Sequence, residues 1–196
     1  MFIDKSIENY VEILSSDAPT PGGGSALAVV CSIAIGLVEM ACNVTITKLA
    51  KKEIDTPELK ALVPQLENLK KTANRLVDDD SKVFNQILEA MRLPKTNEEE
   101  IEARKQALQQ SYKMGATVPL ELMKTAYLAL PLADVCTQFA DQFVVSDAHI
   151  GKSLLLSVIK NATHNVDVNT CCIKDNDFVN LCEQQKALYL SAVVRK

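Results

Sequence analysis

The chain has 196 residues, 47% apolar and 23% charged, with a formal net charge of −4 and a pI of about 5.3. An acidic balance with no tryptophan and 5% aromatics excludes a basic phosphate-tracking face and a base-stacking platform, so no nucleic acid partner is expected. The length suits one domain, read as 1–196, that buries roughly 70% of its unfolded surface without staples.

In chain order, Ile7, Tyr10, Val11 and Leu14 fall at i, i+3, i+4 and i+7 and predict a short amphipathic helix over 4–15. A loop over 16–24 carries "DAPTPGGG", and a second helix is expected from Ser25 to Leu49. Its apolar part, Ala26 to Val38, is 13 residues long, short of the about 20 that a spanning helix needs, so no membrane partner is expected. It reads instead as a buried central helix, with part of its cover coming from a second subunit.

Thr56 and Pro57 open a third helix that reaches Met91, kinked at Pro64. Thr96 and Glu99 form a capping box for a helix over 97–117, and Pro119 and Pro131 divide the next stretch into connected helical pieces, broken or bent at each proline. Further helices are expected from Ser146 to Asn165 and from Asp177 to Val194, the last with Phe178, Leu181, Leu188 and Val193 on one side. The whole reads as all-α, a single-domain bundle of six or seven helices whose buried central helix comes after a glycine-rich loop.

Six cysteines, at 31, 42, 136, 171, 172 and 182, form no CxxC pair, and neither His149 nor His164 adjoins a cysteine pair. Metal-site spacing is absent, and no metal or cofactor is expected. Cys31 and Cys42 read as small buried hydrophobes in a reducing compartment. The N-terminus has no signal-peptide core, which gives a cytoplasmic expectation.

Candidate chemistry begins in the third helix. Its apolar stripe runs Leu66, Leu69, Ala73, Leu76/Val77, then Phe84, Ile87/Leu88 and Met91, and the position missing from the series is Asp80. Asp78 lies about 200° round the helix and is expected to be solvated with Asp79. A carboxylate in an apolar stripe is costly unless paired or neutral. It serves either as a proton-transfer group with a raised pKa or as a cap or partner for a neighbouring helix.

The glycines of "PTPGGGS" either present backbone N–H groups to an anion at a helix start or make a tight turn, and Ser25 is a candidate N-cap. No Gly-Lys-Ser/Thr comes after them, so the loop is not a P-loop. In "VVSDAHIGKSLLLSVIKNATHNVDVN", Ser146 or Asp147 is a candidate cap, Asp147 leans inward, and Asn165 and Asn169 lie at the far end as polar groups or a helix stop.

Four segments, "PTPGGGSALA", "LVDDDSKVFNQILEAMRLPK", "ATVPLEL" and "SDAHIGKSLLLSVIKNATHNVDVN", occur in an order and spacing that resemble the cyclodeaminase/cyclohydrolase family of folate enzymes, over about residues 4–190. The resemblance implies an all-helical homodimer or higher homo-oligomer with a tetrahydrofolate substrate. One branch converts 5-formiminotetrahydrofolate to 5,10-methenyltetrahydrofolate and ammonia. Another hydrolyses 5,10-methenyltetrahydrofolate to 10-formyltetrahydrofolate. The family's D-x-D falls on Asp78 and Asp80, with the second implied as catalytic. Gly22, Gly23, Gly24 and Ser25 are implied to line the folate pocket with Ser146, Asp147, Asn165 and Asn169.

Ala140 and Asp141 stand where the family has Gly-Asn, which implies altered affinity, another substrate or lost activity. The expected activity is the cyclodeaminase one, with Asp80 supplying a proton to the leaving nitrogen. The alternatives are the cyclohydrolase and an inert folate-binding or structural dimer.

Overall fold

A computed structural model describes residues 1–194. It holds six helices: α1 (Ile7–Leu14), α2 (Gly23–Ala50), α3 (Pro57–Arg92), α4 (Glu98–Phe139), α5 (Val145–Thr170) and α6 (Asn176–Val194). The all-α expectation holds, and six helices share one core.

α2 is the axis of the bundle, flanked by α3 and α5 and touched by α4. Small side chains let these neighbours approach. Ala28, Cys31, Ala34, Ile35, Val38, Ala41 and Cys42 are at most 1% exposed. Gly151 of α5 crosses α2 so closely that a Cβ there would lie 2.7 Å from the Ala34 carbonyl oxygen.

By length and composition α2 is the described helix that could cross a membrane, with a mean hydropathy of 2.1 over its most apolar window. The count of 13 apolar residues therefore understated it. Packing against three helices accounts for α2, together with buried Glu39, which pairs with Lys70 of α3 at 2.6 Å. The cover is incomplete: Ile33, Met40 and Val44 face outward from α2.

Several local expectations are corrected. In α1, Ile7 and Val11 face solvent while Tyr10 is buried, because the chain before the helix folds back and lays Phe2 and Ile3 on the core. Thr56 precedes α3 without a side-chain cap bond, and α3 continues through Pro64. The α3 stripe is buried at Leu66, Ala73, Leu76, Val77 and Ile87, but Phe84 and Met91 are exposed.

α4 is capped one residue later than expected. Asn97 accepts from the Glu100 N–H at 2.9 Å, and Glu100 reaches back to the Thr96 N–H and hydroxyl. α4 then runs unbroken through Pro119 and Pro131. Packing along α3 and α5 holds the helix across positions where local propensity alone would end it.

In α5, Ser146 and Asp147 lie inside the first turn and do not cap it, and the helix passes Asn165 to end at Thr170. In α6, Cys182 and Tyr189 face the core, whereas Leu181 and Leu188 are exposed.

Candidate active site

The three glycines act as the first turn of a helix rather than as an open loop. Gly22 is the N-cap of α2, and Gly23 and Gly24 are its first helical residues. The first backbone N–H groups of a helix have no internal partner and carry partial positive charge. One of them, the Ser25 N–H, donates to Asp80 Oδ2 at 2.9 Å. A Cβ at position 24 would fall 2.0 Å from Asp80 Oδ1, so glycine is what allows the carboxylate to sit against the helix start. The Thr20–Pro21 peptide just before this turn is cis.

Asp80 and the glycine turn form one end of a cavity of about 300 Å³. Its walls include Val83, Phe84 and Ile87 of α3, Gly115 and Val118 of α4, and Asn165, Val168 and Asn169 of α5. Burial raises the Asp80 pKa above the ordinary carboxylate value, and the Ser25 N–H, which favours the ionised form, opposes that only in part. The site therefore joins a proton-transfer group of raised basicity to an apolar wall and two side-chain amides.

The sequence-derived candidates divide. Gly22, Gly23, Gly24, Asp80, Asn165 and Asn169 come together at this cavity. Ser25 does not line it with its side chain: its hydroxyl is buried and shares a 2.9 Å hydrogen bond with Tyr10 Oη. Tyr10 thus stands behind the Asp80 contact, its phenol pKa raised first by burial.

Asp78, expected in solvent, is 6% exposed and does not line the cavity, because the N-terminal segment covers it and the Phe2 N–H donates to its Oδ1 at 2.6 Å. Its other oxygen, Oδ2, is buried with no hydrogen-bond partner among the described residues. Asp79, also expected in solvent, is half-buried and pairs with Arg75 and Lys82 at 2.5 and 3.1 Å.

Ser146 and Asp147 are not in the cavity. They stand at the opposite end of α5, about 27 Å along its axis from Asn165 at 1.5 Å per residue. Asp141 is at that same far end, paired with Lys48 of the last turn of α2 at 2.5 Å and donating its N–H to Thr45. The Ala140-Asp141 departure therefore leaves the walls of the Asp80 cavity untouched.

Sequence reading missed Gly115, Phe84, Val118 and Val168. A glycine four residues before a helical proline was the available signal for Gly115.

A family model described as formiminotransferase-cyclodeaminase matches residues 6–187. The chain belongs to the formiminotransferase-cyclodeaminase C-terminal family, a family of folate-converting enzymes. Within that family it is similar to methenyltetrahydrofolate cyclohydrolase of Methylorubrum extorquens, 32% identical over 89% of this chain and 84% of that protein. It is also similar to formimidoyltransferase-cyclodeaminase of Mus musculus, 27% identical over 90% of this chain, which spans 32% of that protein. A crystal structure of formiminotetrahydrofolate cyclodeaminase from Thermotoga maritima matches with a TM-score of 0.76, covering 97% of this chain and 98% of that one at 23% identity. That last likeness shows the all-α fold.

Proposed function

We propose that the cavity acts on the one-carbon bridge between N5 and N10 of a tetrahydrofolate, and that the chain is a methenyltetrahydrofolate cyclohydrolase. The observation that carries the site is Asp80, a basic carboxylate at the mouth of the glycine turn beside an apolar wall. The cavity volume of about 300 Å³ is at the lower end for a small-molecule site, which suits the fused ring and its one-carbon bridge. The glutamate tail would lie outside. Phe84, exposed beside Asp80, offers a ring face to a flat heterocycle. No metal or cofactor enters this reading.

In the hydrolysis, Asp80 accepts a proton from water as the water oxygen bonds to the bridge carbon. As the C–N5 bond breaks, the new hydroxyl proton passes to N5, and one proton is released overall. Asn165 and Asn169 orient the ring.

Cyclodeamination, the first expectation from sequence, is the second reading, supported by the Mus musculus relative. In it N10 attacks the formimino carbon, and Asp80 delivers the proton with which ammonia leaves. What supports hydrolysis instead is a relative of matching length. A turnover assay with both folates separates them: loss of methenyl absorbance without ammonia release supports hydrolysis, and ammonia from formiminotetrahydrofolate overturns it. Binding of either folate without turnover points to an inert folate-binding protein.

The same reading includes a cytoplasmic homodimer. The outward apolar residues Ile33, Met40 and Val44 of α2 support a second copy as their cover.

A further inference from the structure

Pro119 has no N–H, so the hydrogen bond a helical residue would give to the carbonyl four positions back is missing in α4. That carbonyl belongs to Gly115. It is not left bare: Asn169 Nδ2 reaches from α5 and donates to Gly115 O at 3.1 Å. The same Nδ2 donates to Asn165 O, one turn back on α5, at 2.8 Å. A side-chain amide has two N–H donors, and both are now spent on carbonyl oxygens. This fixes which end of the amide is which, since an oxygen turned toward two carbonyls would repel both.

Asn169 Oδ1 is therefore left as an acceptor with no donor among the described residues, on a side chain that lines the cavity. Gly115 is what admits this arrangement, because a Cβ at position 115 would come within 2.3 Å of that same Oδ1. Pro119 frees the carbonyl, Gly115 leaves the room, and Asn169 occupies it. Asn169 and Asp80 line the same cavity. Gly24 abuts Asp80, and a Cβ at Gly23 would lie 4.0 Å from Asn165 Oδ1.

We propose that Asn169 Oδ1 is a specificity-determining acceptor that reads an N–H edge of the bound ligand, and that Gly115 is its positioning residue. Resting on the folate reading above, the edge is the amino and ring N–H side of the pterin pyrimidine. Asp80, in the same cavity, is left to face the one-carbon bridge. A site whose acceptor has no other donor discriminates against a ligand lacking the N–H, because the oxygen is then desolvated without a partner.

The test is calorimetric titration, under anaerobic conditions, of tetrahydrofolate and of its desamino analogue lacking the pyrimidine amino group. Wild type is expected to bind tetrahydrofolate about tenfold more tightly than the analogue, the upper range for one neutral hydrogen bond. N169A is expected to lose about that factor for tetrahydrofolate and to bind both ligands alike. G115A, which displaces the same atom, is expected to match N169A, and the double variant to be no worse than either single one.

A purely structural role for Asn169 is separated by working in P119A, where α4 regains its own N–H to Gly115 O. N169A/P119A is expected to show the same loss relative to P119A, with discrimination again gone. Unchanged affinity on adding N169A to P119A, or discrimination that survives it, overturns the inference. Failure of wild type to bind tetrahydrofolate overturns the folate reading and the ligand assigned to Asn169 with it; binding by wild type with N169A unaffected overturns the inference alone.

Discussion

At the scale of single residues, the environment of Asp80 sets its chemistry. Burial raises its pKa, and the Ser25 N–H holds one oxygen in place. A general base works in its ionised form, so kcat/KM is expected to fall as pH drops through this raised value. The acid limb should thus lie above the ordinary aspartate pKa of about 3.9. The same shift costs stability. The folded state holds the Asp80 proton to higher pH than the unfolded chain does, so stability falls as pH rises from the ordinary value through the raised one. A pH–rate profile checks the first point: the Asp80→Asn variant should lack the acid limb, and an unaltered limb there would assign it to another group.

Asp80 was legible in the sequence because a helical stripe has a fixed period, and a lone acid at a core position stands out against it. Asp78 was not, because the group that buries it, the Phe2 backbone, lies 76 positions away and leaves no mark on the α3 pattern.

At the scale of elements, close approach between α2 and α5 is what brings the ends of α5 and α2 to their places. Gly151 sets that approach. Gly151→Ala would press a Cβ against the rigid backbone of Ala34, and the expected cost is about 1–3 kcal/mol, as for overpacking elsewhere. Urea unfolding checks it, with a lower midpoint at unchanged slope as the expected result. Loss of Asn97, the α4 N-cap, should cost about 1 kcal/mol by the same measurement in Asn97→Ala.

Element existence was readable from periodicity, but α4 is not broken at Pro119 or Pro131. Propensity describes an isolated helix. In the folded chain, α3 and α5 line α4, and the Gly115 carbonyl freed by Pro119 finds Asn169, 54 positions on in the sequence. Ser146 and Asp147 lie apart from the Asp80 cavity for a related reason. Membership in one motif with Asn165 and Asn169 suggested one site, but a helix of 26 residues carries its two ends to opposite ends of the bundle.

At the scale of the whole molecule, α2 organises everything else. One end of it forms the site with Asp80, the other pairs Lys48 with Asp141, and its middle is core. Its outward stripe of Ile33, Met40 and Val44 leads to an expected mass of two chains in solution by sedimentation equilibrium. Ile33→Asp combined with Met40→Glu should give a single-chain mass with the helical spectrum retained. A wild-type monomer would contradict the proposed dimer. The catalytic claim is tested separately, by measuring methenyltetrahydrofolate absorbance over time in the wild type and in Asp80→Asn. Wild type should hydrolyse the folate rapidly, and the variant should show a kcat lower by roughly 10²–10⁴ with folate binding retained. Near wild-type turnover by Asp80→Asn would contradict the role assigned to this carboxylate.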